Sequence, residues 1–217
     1  NQEVLHEIEN HWDFNNDIHN PDLYWIHEFQ YSLDGNSIYF LSNKNNGSAN
    51  ITEQKVFDNI WKLDLTTNNI EPMSDFLPIN FELVDFVEDP KQQGNFYVLG
   101  GIYGEEIEGD MFFEDRVDVH YYNSFDQSLT EILRSDAKEN YLSIAPNGEN
   151  LVFVSDRTGL SELWSYNLNT QKHRQITSGR SYSPSWKWHY LNWVSETEFM
   201  CFVRHNETSK FAVFDIR

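Results

Sequence analysis

The feature that most constrains this chain is a repeated pattern of short apolar segments separated by tight turns. The clearest copy spans residues 141–177, where Asn147-Gly148 separates two apolar segments and Asp156 with Gly159 brackets the next turn. Asn-Gly is a strong β-hairpin signal because both residues tolerate a positive φ. The pattern therefore predicts four short strands joined by hairpins.

The same order of strands and turns recurs in the rest of the chain. Residues 29–73 repeat it with Asp34-Gly35 at the turn, a weaker copy spans residues 81–133, and a fourth spans residues 183–216. Sequence repeats of this length are typical of solenoids and propellers. Aromatic residues, which suit half-buried strands, make up 16% of the chain and favour the same interpretation. Together these features predict an all-β repeat protein.

These repeats resemble the WD-like repeats of TolB-type β-propellers, which are similar to those of prolyl-oligopeptidase propellers. The third repeat carries the fullest match, with Ala145-Pro-Asn-Gly, Ser155-Asp-Arg-Thr-Gly, Leu163-Trp and Ile176-Thr. The first repeat matches through Ser32-Leu-Asp-Gly. The resemblance implies an all-β propeller of four-stranded antiparallel blades, and it specifies a fold rather than an activity.

The repeats predict a single propeller domain over residues 1–217. Its blades are expected at residues 23–75, 76–136, 137–178, and 179–217 together with 3–8. Because the fourth repeat ends after its third strand, residues 3–8 are predicted to pair with the C-terminal blade and close a ring of four blades. Closure would leave no open sheet edge. The alternative is that the chain forms only part of a larger propeller, since propellers contain about four to eight blades.

Charge and composition limit the partners of this chain. It contains 15 Lys and Arg against 35 Asp and Glu, for a net charge of −20, which excludes nucleic acid as a partner of this domain. The lone cysteine, Cys201, is expected to be a small buried strand residue. No apolar run reaches the length of a membrane helix, about 20 residues, so the domain is expected to stay outside the membrane. Any signal or tether is expected upstream.

Two long insertions predict where a binding surface lies. They fall at residues 43–58 and 100–116, and both join the second strand of a blade to its third. In an antiparallel blade these connections emerge on the same face as the connections between blades, and insertions gathered on one face of a repeat array indicate its binding face. The residues predicted to contact a protein partner or small ligand there are His11, Trp12, His19, Glu105, Glu106, Asp110, Tyr182, Trp186 and Trp188. The alternative is that these connections are surface loops without a binding role and that Trp186 and Trp188 pack between blades.

Neither catalytic nor metal-binding residues are predicted. The acidic residues 105–115 lack the spacing of an EF-hand loop, so a solvated acidic loop, or a contact for a basic partner, is expected rather than a Ca²⁺ site, which remains the alternative. The pair His6 and His11 does not fit H-E-x-x-H. The chain contains no G-x-S-x-G elbow, P-loop, dinucleotide fingerprint or zinc cysteine pair. No cofactor is therefore expected.

The resemblance to TolB-type propellers implies a non-catalytic, extracytoplasmic module of a bacterium that binds a protein or small ligand. A periplasmic sensory domain of a membrane-bound regulator is one form of such a module. The alternative is a glycan- or peptide-processing enzyme, or the gating propeller of a prolyl-oligopeptidase-like hydrolase. An upstream DNA-binding domain with a membrane helix would indicate the regulator, and a downstream G-x-S-x-G domain would indicate the hydrolase.

Overall fold

The computed structural model describes residues 26–43, 58–74, 77, 81–102, 117–178, 183–184, 191–205 and 208–217. These residues form sixteen β-strands and no helix. The strands are β1 (Ile26–Tyr31), β2 (Ser37–Ser42), β3 (Asn59–Asp64), β4 (Ile70–Pro72), β5 (Phe81–Glu88), β6 (Phe96–Ile102), β7 (Asp118–Asn123), β8 (Ser128–Leu133), β9 (Glu139–Ile144), β10 (Asn150–Ser155), β11 (Glu162–Asn167), β12 (Lys172–Gln175), β13 (Ser183–Pro184), β14 (Asn192–Trp193), β15 (Glu198–His205) and β16 (Thr208–Asp215). The part of the chain described here therefore contains no helix that could span a membrane.

The strands form four antiparallel sheets in chain order, arranged as a four-blade propeller. Strands β1–β4 make blade 1, β5–β8 blade 2, β9–β12 blade 3 and β13–β16 blade 4. In blades 1 to 3 every strand pairs with the next one along the chain, so the first strand is innermost and the fourth outermost. The all-β propeller fold predicted from the repeats is confirmed.

The inner edge of blade 4 carries two short strands, β13 and β14. Both β13 and β14 pair with β15, at Val203 and Phe199 respectively, whereas β16 pairs with β15 over residues 198–205. Since β16 occupies one edge of β15 along its length, β13 and β14 share the other edge. The described part of blade 4 is thus three strands wide, as the fourth repeat predicts. Residues 3–8, predicted to close the ring, lie outside the described residues, so closure stays a prediction.

Three apolar cores join successive blades. Blades 1 and 2 meet around fully buried Phe96, whose ring contacts Tyr39 edge-to-face with centroids 4.9 Å apart. Phe153 lies in the core between blades 2 and 3, and Phe199 in the core between blades 3 and 4. Stacking of amphipathic sheets through such cores lets each blade bury a face that it cannot bury alone.

The single cysteine belongs to the third of these cores. Cys201 is buried and lies opposite Ala212 of β16. Burial raises the pKa of the Cys201 thiol to about 12, so the thiol is protonated near neutral pH. The prediction of a small buried strand residue is confirmed.

One boundary predicted from the sequence is wrong. Residues 100–102, assigned to the second insertion, belong to strand β6, where Gly100 pairs with Leu83 and Gly101 with Glu82. The adjacent Gly100 and Gly101 weaken the sequence signal for a strand. In the structure, a Cβ added to Gly100 would lie 2.4 Å from Cε1 of Phe81. Glycine is therefore required by the close approach of that ring, and the connection begins after Ile102.

The Asn147-Gly148 hairpin gives a first testable prediction. Gly148 has φ +65°, and a Cβ there would lie 2.9 Å from Cε of Lys91. We expect Gly148→Ala to lower the free energy of unfolding, measured in urea, by about 1–2 kcal/mol because alanine is disfavoured at this φ. Gly35→Ala is the matched variant, since Gly35 has φ +72° and a Cβ added there would meet nothing within 4 Å. It should lose a similar amount, because the flexible Lys91 side chain can move away from a Cβ at position 148. Unchanged stability in both variants would contradict the role of positive φ in these turns.

Candidate functional site

A polar cavity lies on the propeller axis, where the inner strands of the four blades meet. Its volume is about 250 Å³. Strands β1, β5 and β9 each contribute three consecutive residues, and blade 4 contributes two. The lining residues are Glu28, Phe29, Gln30, Asp85, Phe86, Val87, Tyr141, Leu142, Ser143, Leu191 and Asn192. We refer to this space as the axial cavity.

The inner strands reach the axial cavity through β-bulges. The pairing register shifts between His27 and Phe29 in β1, between Leu83 and Asp85 in β5, and at the Tyr141 step of β9. Glu28 and Tyr141 occupy equivalent bulges and have positive φ values of 42° and 53°. Bulges re-aim side chains and are enriched next to functional sites. A positive φ is energetically costly for a non-glycine residue, and residues in such conformations also cluster at functional sites.

Several polar groups of the axial cavity also hold neighbouring blades together. Between blades 2 and 3, the Asp85 carboxylate accepts the backbone N–H of Leu142 at 2.8 Å. Between blades 1 and 2, Gln30 Nε2 donates to the backbone oxygen of Phe86 at 3.3 Å. Between blades 3 and 4, the Ser143 hydroxyl donates to the backbone oxygen of Leu191 at 3.2 Å. These contacts fix the cavity wall in place, so its geometry is set by assembly of the blades.

The electrostatic character of the axial cavity is negative. Among the residues that the structure describes, its lining includes two carboxylates, Glu28 and Asp85, and no Lys, Arg or His. Burial, together with the negative charges of Glu28 and Asp85, raises the pKa of the Tyr141 phenol. The phenol therefore stays protonated at neutral pH and lies within the field of both carboxylates.

The second feature of the site is the face from which the long connections leave. The connections that follow β2, β6 and β10 join the second and third strands of blades 1, 2 and 3, and they emerge at one end of the propeller. The connection in blade 3 runs only from Ser155 to Glu162, whereas those in blades 1 and 2 run from Ser42 to Asn59 and from Ile102 to Asp118. We name this end the connection face.

A buried ion pair supports the connection face in blade 3. Arg157, in the short turn after β10, bonds through Nη2 to Oε1 of Glu139 at 2.5 Å, and Nε donates to the Ser155 hydroxyl at 3.0 Å. The guanidinium carbon lies 4.7 Å from the ring centroid of Trp164. The arginine of the Ser-Asp-Arg repeat motif is thus a structural residue that holds the turn against the blade.

The nine residues predicted to form the binding surface lie outside the described residues. They are His11, Trp12, His19, Glu105, Glu106, Asp110, Tyr182, Trp186 and Trp188, and residues 105–115, considered for Ca²⁺, lie there too. Their role stays a prediction. Within the ranges that are described, no three His, Cys, Asp or Glu side chains gather as metal ligands.

Sequence reasoning missed the residues of the axial cavity. Glu28 and Tyr141 read as ordinary strand residues, yet each stands six positions before the first residue of its turn, Asp34 or Asn147. That fixed offset within the repeat is the signal that identifies them. Asp85 has no such marker because the turn of the second repeat lacks an Asn-Gly or Asp-Gly pair.

Comparison with known proteins supports the fold. No protein family model and no curated protein sequence matches the chain. The structure is similar to a putative TolB from Agrobacterium tumefaciens, with a TM-score of 0.61 and 15% identity over 88% of this chain and 62% of that one. For TolB from Acinetobacter baumannii the TM-score is 0.58 and the identity 14%, over 87% and 40% of the two chains.

A hydrolase has a similar fold. A puromycin hydrolase matches with a TM-score of 0.57 and 12% identity over 87% of this chain and 26% of that one. At these identities the similarity shows the fold alone, and this chain spans less than two thirds of each of these proteins. The resemblance to TolB-type propellers predicted from the repeats is confirmed at the level of fold.

Proposed function

We propose that this chain is a non-catalytic binding module that uses the connection face and the axial cavity to bind a protein or a small ligand. We further propose an extracytoplasmic, periplasmic setting, including that of a sensory domain in a membrane-bound regulator. The support for the setting is the resemblance to TolB-type propellers, which comes from both the repeats and the fold.

The observation that carries the proposal of binding is the way in which the axial cavity is built. It is formed jointly by four blades, and its Asp85 and Ser143 side chains hydrogen-bond to backbone groups of neighbouring segments. Groups fixed in this way suit recognition of a ligand by a rigid surface.

The test is capture of a partner by the tagged protein from a periplasmic extract. Replacing residues 103–116 by the short blade 3 turn from Asp156 to Gly159 should abolish capture while leaving the melting temperature nearly unchanged, because the connection lies beyond β6 and β7. The matched variant Glu105→Gln, Glu106→Gln, Asp110→Asn keeps the length of the connection and removes three charges. Comparison of the two variants distinguishes recognition by charge from recognition by shape.

Two outcomes would contradict the proposal. Capture that survives loss of residues 103–116 would exclude that connection from the binding surface. A lower melting temperature in proportion to the lost capture would assign it a structural role instead. Gly148→Ala serves as the reference for a variant that is less stable without a change in binding.

The second candidate function is that of a gating propeller or an enzyme of glycans or peptides. Its support is the similarity in fold to a puromycin hydrolase. Hydrolysis or elimination by the isolated chain, lost in Asp85→Asn, would favour the enzyme over the binding module.

A further inference from the structure

The axial cavity combines a small volume with an unbalanced charge. At about 250 Å³ it is smaller than the pockets of about 300–1,000 Å³ that hold drug-sized ligands, so it accommodates a group the size of one side chain. Of the described residues that line it, two are carboxylates and none is cationic. A ligand that enters it must replace the water around those carboxylates with hydrogen-bond donors of its own.

The two carboxylates come from different blades and are held differently. Asp85 is fixed by two backbone N–H donors, from Phe86 and Leu142, each at 2.8 Å. Glu28 projects from the bulge of β1, one blade away. Gln30, Ser143 and Asn192 add neutral polar groups to the wall. The arrangement offers acceptors on more than one side of the same space.

Aromatic surface adjoins these acceptors. Phe29 lines the axial cavity and is 76% exposed, and the Tyr141 ring lies on the opposite inner strand β9. A planar guanidinium combines several N–H donors with a face that packs on aromatic rings. Carboxylates beside an exposed ring are therefore suited to an organic cation.

We propose that the axial cavity binds the guanidinium group of an arginine side chain presented by a protein partner, with Glu28 and Asp85 as its acceptors. This inference rests on the proposed binding function and names the chemical group that the cavity selects. The net charge of −20 favours the approach of a basic partner surface before the side chain enters.

The experiment is a calorimetric titration of the whole chain with argininamide and with citrullinamide, its uncharged isostere. Argininamide should bind saturably and citrullinamide should not. Glu28→Gln should weaken argininamide binding about tenfold, because the variant loses a charge-assisted hydrogen bond to the guanidinium. The matched control Glu131→Gln removes one negative charge on the outer strand β8 and should leave the affinity unchanged.

A second variant keeps the inference testable if Glu28→Gln folds poorly. Asn192→Lys adds an ammonium group to the wall from an exposed position on β14, so it should abolish argininamide binding with the melting temperature preserved. Equal binding of the two probes, no saturable binding of argininamide, or equal effects of Glu28→Gln and Glu131→Gln would each overturn the inference.

The result is distinguishable from failure of the proposed function. Loss of partner capture on replacing residues 103–116 tests the binding module without reference to the axial cavity. A chain that captures its partner but ignores argininamide retains the binding function and refutes the cationic ligand. A chain that binds argininamide but captures no partner would support the cationic ligand and refute the proposed binding function.

Discussion

Replacing Arg157 by methionine is expected to lower the free energy of unfolding by about 3–5 kcal/mol, because it leaves a buried carboxylate without its cation. Glu139 is fully buried, and its Oε1 accepts from Arg157 at 2.5 Å and from the Ser135 hydroxyl at 2.7 Å. Methionine retains much of the arginine stem, which isolates the loss of charge from the loss of packing. Urea denaturation followed by tryptophan fluorescence measures the change.

The control for Arg157 is an exposed ion pair of the same chemistry. Arg217 bonds to Asp215 at 2.6 Å, but their side chains are 70% and 41% exposed, so Arg217→Met should lower the free energy of unfolding far less than Arg157→Met. Adding Glu139→Gln to Arg157→Met should restore part of the lost stability, because the buried group is then neutral. Equal losses in Arg157→Met and Arg217→Met would show that the buried pair does not stabilise blade 3.

Phe96→Ala is expected to cost about 3–5 kcal/mol of unfolding free energy, the usual range for loss of a buried phenylalanine. Phe96 is fully buried between blades 1 and 2, and its ring contacts Tyr39 at 4.9 Å and Phe86 at 5.8 Å between centroids, both edge-to-face. The variant leaves a cavity at a junction between blades. Chemical denaturation at fixed pH measures the difference in the free energy of unfolding between the variant and the wild type.

Phe125→Ala is the matched control for Phe96→Ala. It lies in the turn between β7 and β8 and is 95% exposed, so Phe125→Ala should change the stability by less than about 0.5 kcal/mol. Hydrogen exchange in Phe96→Ala should increase in blades 1 and 2 before blade 4, because the lost contacts join those two blades. Uniform exchange over all blades would contradict a local role for Phe96 at this junction.

The parts of the fold that are determined locally were predictable from the sequence. The hairpins at Asp34-Gly35 and Asn147-Gly148 require positive φ at their glycines, and this requirement is visible in the residues themselves. Alternation of apolar residues then places the strands on either side. The end of β6 was not predictable, since the need for Gly100 arises from the ring of Phe81 on a neighbouring strand.

The axial cavity depends on contacts between blades, so its residues were not predicted from the sequence. Asp85 reaches Leu142 across 57 positions of the chain. The pairing of both β13 and β14 with β15 in blade 4 has no turn motif to mark it. The predicted binding residues followed from the long insertions and from the connections between blades, and they remain predictions to be tested by the capture experiment.

The bulge at Glu28 separates the lining of the axial cavity from the packing of the cores. A regular strand alternates its side chains between two faces, and in blade 2 both faces pack against neighbouring blades. A bulged residue falls outside that alternation. The Tyr141 ring still packs against the core between blades 3 and 4, whereas Glu28 is a polar residue of the cavity wall. Position 28 can therefore be exchanged to give the cavity a new specificity without removing an apolar side chain from a core, which makes this position suited to redesign.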